Sequence, residues 1–137
     1  MCDKTRILVV DDEEVVRLAL ARVLSSEHCK VEAAWNGADA LREIERHSFD
    51  VVLLDLRMPG MDGISVLKAI KEKRPEIEVI VVTGYPSLET AKEAIRHGAY
   101  DYLAKPVEPD RMINVAHSAV LQKRWSLHRE RTVPAPH

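Results

Sequence analysis

Short apolar runs alternate with segments of helical periodicity along most of the chain. Unbroken runs occupy residues 7–10, 51–54 and 79–82, and weaker ones lie near residues 30–35 and 100–103. Runs of this length are typical of strands buried on both faces of a parallel sheet. Between them, apolar residues recur every three or four positions, which predicts amphipathic helices. The pattern therefore predicts five consecutive strand–helix units.

These units define a fold. We expect strands at about residues 6–10, 30–35, 50–54, 77–82 and 100–103, and helices at about 14–26, 37–47, 64–73, 87–97 and 109–131. Ser87 is expected to cap the fourth helix, and His97-Gly98 to end it. Repeated units of this kind give parallel strands with helices on both faces. We predict a flavodoxin-like (βα)5 three-layer α/β sandwich with a parallel five-stranded sheet in the order 2-1-3-4-5.

Composition narrows the class of protein. The chain has 137 residues, 46% hydrophobic and 31% charged, with a net charge of -2. This balance is globular and gives no basic field that would attract nucleic acid or an anionic membrane. The apolar runs are shorter than the roughly 20 residues of a membrane span. Cys2 and Cys29 lack the spacing of a metal site, so we expect free thiols and a cytoplasmic protein.

The fifth helix is predicted to extend beyond the domain. Its length of about 33 Å exceeds the roughly 20 Å that crosses a sheet of this size. We divide the chain into a domain of residues 1–122 and a helix extension with linker or tail over residues 123–137. Ile113, Val120 and Leu127 recur every seven residues, and Trp125 should be exposed. The extension is interpreted either as a helix that pairs with a second protomer or as a frayed polar end.

Four of the five predicted strands lead directly into a charged or hydroxyl side chain. Asp11 and Asp12 follow the first strand, and Asp55 follows the third. Thr83 follows the fourth strand, and Lys105 comes just after the fifth. The carboxyl ends of parallel strands share one edge of the sheet, where open α/β folds bind their ligands. We expect these side chains to converge on one site.

The acidic residues predict a magnesium site. Carboxylates held close together repel one another unless a cation neutralises them. No His or Cys stands at these loop positions to favour zinc, whereas Mg²⁺ prefers oxygen ligands. We expect Asp12 and Asp55 as direct ligands, with the backbone carbonyl of Arg57, and Asp11 acting mainly through water.

Such a site suits phosphoryl transfer onto Asp55 as a carboxylate nucleophile. Lys105 and the Thr83 hydroxyl would contact the phosphoryl oxygens, on which negative charge accumulates during transfer. An alternative is a Mg²⁺-dependent phosphohydrolase with an aspartyl-phosphate intermediate. That alternative is weakened because Arg57, two residues after Asp55, stands where a second acid would serve as general acid and base.

Taken together, the motifs resemble the receiver domains of two-component response regulators over about residues 5–122. They are Val10-Asp11-Asp12-Glu13, the loop of residues 54–63, Val82-Thr83-Gly84 and Lys105-Pro106. Within that family, residues 83–85, 89–91 and 98–106 are most similar to receivers of nitrogen-regulation-type transcriptional activators. Val107 and Tyr85-Pro86 depart from the pattern of that subgroup.

The resemblance implies a mechanism. A sensor histidine kinase would donate a phosphoryl group to Asp55, and the chain would catalyse only its own phosphorylation and dephosphorylation. Thr83 would then move toward the phosphoryl group, and Tyr102 would rotate inward. Arg57 and Tyr85 would flank the path of the attacking water, and Lys105 would pair with Asp55 before phosphorylation.

The resemblance also implies partners. The face formed by the fourth helix, fifth strand and fifth helix would recruit a partner or a second copy. A homodimer through the fourth helix, the fifth helix or its extension is therefore expected. ATPase and DNA-binding modules would follow the receiver in a longer activator, and this domain itself would bind neither nucleic acid nor membrane. The other interpretation is a single-domain receiver that signals by docking on another protein.

Overall fold

The computed structural model describes residues 5–26, 28–58 and 60–132. Its strands are β1 (Thr5–Val10), β2 (Cys29–Ala34), β3 (Val51–Leu54), β4 (Arg57–Met58), β5 (Met61–Asp62), β6 (Glu78–Thr83) and β7 (Asp101–Ala104). Its helices are α1 (Glu14–Leu24), α2 (Gly37–Arg46), α3 (Gly63–Lys73), α4 (Leu88–Arg96) and α5 (Pro109–Thr132). Cys2 and residues 133–137 of the predicted tail lie outside the described residues.

The main sheet has the predicted topology. Its five strands are all parallel and lie in the order β2-β1-β3-β6-β7. Since β6 and β7 are the fourth and fifth strands of this sheet along the chain, the predicted order 2-1-3-4-5 is confirmed. All residues of β3 are buried, as expected for the central strand of a sheet covered on both faces.

Alternate side chains of the strands point into two separate cores, which makes the three layers. Leu8, Val10 and Leu54 pack on the side of α2, α3 and α4. Ile7 and Val9 pack on the opposite side, with α1 and α5. The helices therefore cover both faces of the sheet, and the loops lie at the two ends of its strands.

A second, two-stranded sheet was not predicted. β4 and β5 form an antiparallel hairpin directly after Asp55. Gly60 turns the hairpin with a φ of 81°, a conformation that favours glycine. At Gly63 a Cβ would lie 2.4 Å from the Leu56 Cα, so the loop packs directly on the start of α3. Strands of two residues are too short to leave a periodic signal in the sequence.

The predicted ends of α4 are confirmed. The Ser87 hydroxyl accepts a hydrogen bond from the Thr90 amide at 3.1 Å, which caps the helix. Gly98 ends it in the left-handed region, with a φ of 95°.

α5 continues without interruption past residue 122, where the domain division was predicted. The Lys123 ammonium lies 2.7 Å from a carboxylate oxygen of Asp50, at the start of β3. Val120 is only 5% exposed and packs in the core of its own domain, so the Ile113–Val120–Leu127 repeat does not form a free seam. Among the described side chains of α5, the large apolar ones that are exposed are those of Ile113, Leu121 and Trp125. None of the described helices is both long and apolar enough to cross a bilayer.

Candidate functional site

The carboxyl ends of β1 and β3 bring two acids together. Val10 and Leu54 are register partners, so the residues that follow them, Asp11 and Asp55, are neighbours. The Asp55 amide donates to the Val10 carbonyl at 3.0 Å, which extends the ladder to the acid itself. Asp11 and Asp55 are 2% and 6% exposed, whereas Asp12 is exposed to solvent.

β6 and β7 bring the hydroxyl and the ammonium to the same edge. Thr83 ends β6 and is 1% exposed. The Lys105 amide donates to the Thr83 carbonyl at 2.8 Å, so the chain after β7 continues beside the end of β6. The Lys105–Pro106 peptide bond is cis. All the residues that were predicted to converge therefore lie at one edge of the sheet.

Three carboxylates form a cluster. One oxygen from each of Asp11, Asp12 and Asp55 lies within 4.8 Å of the others. The Lys105 Nζ donates to Asp11 Oδ2 at 2.8 Å and lies 3.6 Å from Asp55 Oδ2. The predicted pairing of Lys105 with Asp55 is confirmed, and Lys105 also donates a hydrogen bond to Asp11 over a shorter distance. The Arg57 amide donates to Asp55 Oδ1 at 3.2 Å.

The three carboxylates of the cluster carry more negative charge than the ammonium of Lys105 neutralises. Burial raises the pKa of Asp55, and the charges of Asp11 and Asp12 add to this effect. The hydrogen bond from Arg57 and the charge of Lys105 oppose it without cancelling it. Burial tends to lower the pKa of Lys105, but its hydrogen bond to Asp11 and the surrounding negative charges raise it overall.

This donor set fits a hard divalent cation. All three side chains offer carboxylate oxygens, two from buried positions and one from an exposed position that an ion can reach. Mg²⁺ is commonly bound by one or two carboxylates together with water. Because the Arg57 amide donates to Asp55, the backbone of Arg57 lies beside the carboxylate cluster. Its carbonyl as a further ligand stays a prediction.

Arg57 and Tyr85 border the opening of the site. A cavity of about 550 Å³ lies above Asp55, and both residues line it together with Asp12, Glu13 and Lys105. The Arg57 Cζ lies 4.0 Å from the centre of the Tyr85 ring, which is the geometry of a cation–π contact. The amide of Tyr85 donates to Thr83 Oγ1 at 3.1 Å. The sequence predicted that both residues lie beside the site, but it did not predict their contact with each other.

Tyr102 lies on β7 and is connected to the start of α4. Its hydroxyl lies 2.6 Å from Thr90 Oγ1 and accepts a hydrogen bond from the Ser87 amide at 3.1 Å. The ring is half-buried against the core formed with α2, α3 and α4. Tyr102 therefore connects the strand before Lys105 to the cap of α4.

Two further residues at this edge were missed. The Arg17 Nη1 donates to the Asp11 carbonyl at 2.8 Å. The Arg17 Cζ lies 5.1 Å from the ring centre of Trp35, an exposed residue directly after β2. Position in the sequence could have indicated both, since Trp35 ends the second predicted strand and Arg17 lies in the first turns of a helix that starts beside the acids.

Comparison with known proteins agrees with this geometry. The family model described as response regulator receiver domain matches residues 7–117. The transcriptional regulatory protein ZraR of Salmonella typhimurium is 41% identical over 121 residues, which are 88% of this chain and 27% of that protein. The DNA-binding transcriptional regulator NtrC of Escherichia coli is 38% identical over 114 residues, 83% of this chain and 24% of that protein. The chain thus spans about a quarter of the length of these curated relatives.

Solved structures show the same fold. NtrX from Brucella abortus in complex with ADP superposes with a TM-score of 0.89 and 35% identity, over 97% of this chain and 31% of that one. A CheY-like response regulator receiver domain protein from Methanospirillum hungatei gives a TM-score of 0.87 and 31% identity, over 90% of this chain and 99% of that one. The family match covers most of the chain, and the relatives include nitrogen-regulation-type activators. The chain belongs to the response regulator receiver domain family.

Proposed function

We propose that this domain is a phosphoacceptor whose Asp55 receives a phosphoryl group from a sensor histidine kinase in a Mg²⁺-dependent reaction. The observation that carries the proposal is a buried carboxylate within 4.8 Å of two others, with an ammonium 3.6 Å away. Burial and the two neighbouring acids keep the pKa of Asp55 raised, so the cluster favours a cation. Bound Mg²⁺ would neutralise these carboxylates and the incoming phosphoryl oxygens.

The transfer uses residues that lie at the same edge of the sheet as Asp55. An oxygen of Asp55 attacks the phosphorus of a phosphohistidine, and a P–O bond forms as the P–N bond breaks. The electron pair of that bond returns to the donor's imidazole. The Lys105 ammonium neutralises charge on a phosphoryl oxygen. Thr83 Oγ1 accepts from Tyr85, so its own hydroxyl proton is available to donate to a second oxygen.

The domain turns over no external substrate in this proposal. A phosphohydrolase would need an acid near Asp55 that acts as general acid and base. Arg57 occupies the corresponding position, and its guanidinium stacks on Tyr85. The domain therefore catalyses only its own phosphorylation and dephosphorylation, and it serves as a signalling switch.

The signal would leave through α4, β7 and α5. Movement of Thr83 toward the phosphoryl group opens space for Tyr102, whose rotation breaks its hydrogen bonds to Thr90 and Ser87. The start of α4 then loses its contact with β7. Phosphorylation biases two arrangements that both exist beforehand, as in other phosphorylation switches.

The same face supports a homodimer. Leu88 and Ile95 on α4 are 72% and 53% exposed, and Leu121 and Trp125 on α5 are 52% and 55% exposed. Exposed apolar residues repeated along a helix are typical of an interaction surface. We propose that a second copy of this chain covers the exposed side of α5 after phosphorylation.

The output module is proposed from the relatives. ZraR and NtrC are named as transcriptional regulators, NtrC as a DNA-binding one, and this chain matches about a quarter of each. We propose that ATPase and DNA-binding modules accompany this domain in a cytoplasmic transcriptional activator. A stand-alone receiver is the second candidate, because the Methanospirillum hungatei receiver is matched over 99% of its length.

The phosphoacceptor proposal is tested by intact mass after incubation with a small-molecule phosphodonor. We expect one phosphoryl group per chain with Mg²⁺ and none with a chelator. Asp55→Asn should abolish the gain, and Asp12→Asn should raise the Mg²⁺ concentration that it requires. A gain that is unchanged in Asp55→Asn, or that persists in chelator, would contradict the proposal.

A further inference from the structure

Arg17 on α1 lies beside the acidic cluster but is not ion-paired to it. Glu13 precedes it by four residues, and acid-before-base pairs at this spacing on a helix attract each other. Among the described residues, however, Arg17 forms no ion pair with a carboxylate. Its guanidinium instead donates to the Asp11 carbonyl at 2.8 Å and lies over the Trp35 ring at 5.1 Å.

The contact with the Asp11 carbonyl completes the fixation of that residue. Asp11 Oδ1 accepts from the Glu13 amide at 2.9 Å, and Oδ2 accepts from Lys105 at 2.8 Å. Arg17 binds the remaining carbonyl, which belongs to the peptide that joins Asp11 to Asp12. The exposed carboxylate of Asp12 therefore projects from a backbone that is fixed on the side of Asp11.

A guanidinium beside several carboxylates is a competitor for a divalent cation. Arginine binds carboxylates in a bidentate manner and stays charged at all relevant pH values. If Arg17 swung toward Asp12 or Glu13, it would occupy the oxygens that an ion must reach. Stacking on an aromatic face offers the guanidinium an alternative position.

We propose that Trp35 is a positioning residue that holds Arg17 on the Asp11 carbonyl and away from the carboxylates of Asp12 and Glu13. The cation site is thereby kept accessible to a divalent metal ion such as Mg²⁺. This inference rests on the proposed Mg²⁺ site and concerns how that site is kept open. Trp35 is 65% exposed, so its replacement removes the contact with Arg17 without creating a cavity in the core.

The test is a double-mutant cycle read out as Mg²⁺ affinity by calorimetry at low ionic strength. An exposed cation–π contact changes an equilibrium by a factor of about two to five. Trp35→Ala should therefore weaken Mg²⁺ binding about two- to fivefold, and Trp35→Phe should keep it near that of the unsubstituted chain. In an Arg17→Gln background the same Trp35→Ala change should have an effect below about 1.5-fold, because the competitor is absent. Trp125→Ala serves as a control for loss of an exposed tryptophan elsewhere.

The outcomes distinguish a failure of the inference about Trp35 from a failure of the proposed function. If Trp35→Ala leaves Mg²⁺ affinity unchanged, or lowers it equally in both backgrounds, Trp35 does not act through Arg17 and the inference is wrong. If the unsubstituted chain binds no Mg²⁺, the proposed function fails, and the inference fails with it.

Discussion

At the scale of single residues, Asp55 combines burial with a charge that the metal-free domain compensates only partly. Replacing it with asparagine removes that charge and keeps the size of the side chain. We expect Asp55→Asn to raise the free energy of unfolding of the metal-free protein at pH 7 by on the order of 1 kcal/mol, the usual scale of a single substitution. Thermal or denaturant unfolding in chelator measures the effect, and Glu14→Gln on exposed α1 should give no such gain.

The same substitution has a predicted pH dependence. Because burial raises the pKa of Asp55, the folded protein binds that proton more tightly than the unfolded chain does. The ionised form therefore destabilises the native state above the raised pKa. This penalty disappears as the pH falls through the raised pKa to the ordinary value of 3.8. The advantage of Asp55→Asn should shrink over the same range, and a constant advantage would contradict the burial of Asp55.

Tyr85 should control how long the phosphoryl group survives. Its ring stacks on Arg57 at the opening above Asp55, where water must approach. Tyr85→Ala removes the ring, so we expect the phosphorylated domain to lose its phosphoryl group about threefold faster or more, the scale of an exposed cation–π contact. The decay of the phosphorylated mass over time measures this rate. Tyr85→Phe keeps the ring and should decay like the unsubstituted chain; equal rates for all three proteins would show that the ring has no such role.

The site residues were predictable from the sequence because each directly follows a strand or lies within a few residues of one. Parallel strands then bring Asp11, Asp55 and Lys105 to one edge whatever the details of packing. The pairing of Lys105 with Asp55 was predicted, but its shorter contact with Asp11 was not. The ammonium lies 2.8 Å from Asp11 and 3.6 Å from Asp55, and these distances depend on side-chain placement within the folded site.

At the scale of secondary-structure elements, the contact between β7 and α4 is the proposed moving part. Tyr102→Phe removes the hydroxyl that accepts from the Ser87 amide and contacts Thr90. We expect faster amide hydrogen exchange in the first turn of α4, with β6 and β7 unchanged, because the loss is confined to that contact. Hydrogen–deuterium exchange mass spectrometry measures it. Unchanged exchange at α4 would mean that this hydroxyl does not hold the helix.

Elements with a periodic pattern were predictable, and the short hairpin was not. The helices and the main strands agree with their predicted ends to within two residues. β4 and β5 contain two residues each, and their pairing depends on the turn at Gly60 and on the close packing of Gly63 against Leu56. These are tertiary contacts, so no periodic pattern in the sequence predicts them.

At the scale of the whole molecule, strand order followed from repeated strand–helix units and the handedness of their connections. The direction in which α5 leaves the domain could not be predicted from the sequence pattern. It depends on the ion pair between Lys123 and Asp50, which are 73 residues apart in the chain. It also depends on the burial of Val120, which turns Leu121 and Trp125 outward.

The proposed dimer can be located by a matched pair of substitutions. Leu121→Glu places a charge on exposed α5, and Leu88→Glu places the same charge on exposed α4. We expect the phosphorylated chain to dimerise, Leu121→Glu to prevent this, and Leu88→Glu to leave it largely intact. Light scattering coupled to size exclusion gives the mass of each species. Loss of the dimer only in Leu88→Glu would move the interface to α4, and a phosphorylated chain that stays monomeric would contradict dimerisation.

The central claim is that Asp55 is the residue that receives the phosphoryl group. Borohydride reduces an acyl phosphate to an alcohol, so treatment of the phosphorylated chain should convert the modified aspartate to homoserine. Peptide mass spectrometry then locates the residue. The account predicts homoserine at position 55 alone, formed only when Mg²⁺ was present during labelling. Homoserine at Asp11 or Asp12, or a labelled chain in which Asp55 remains unreduced, would contradict it.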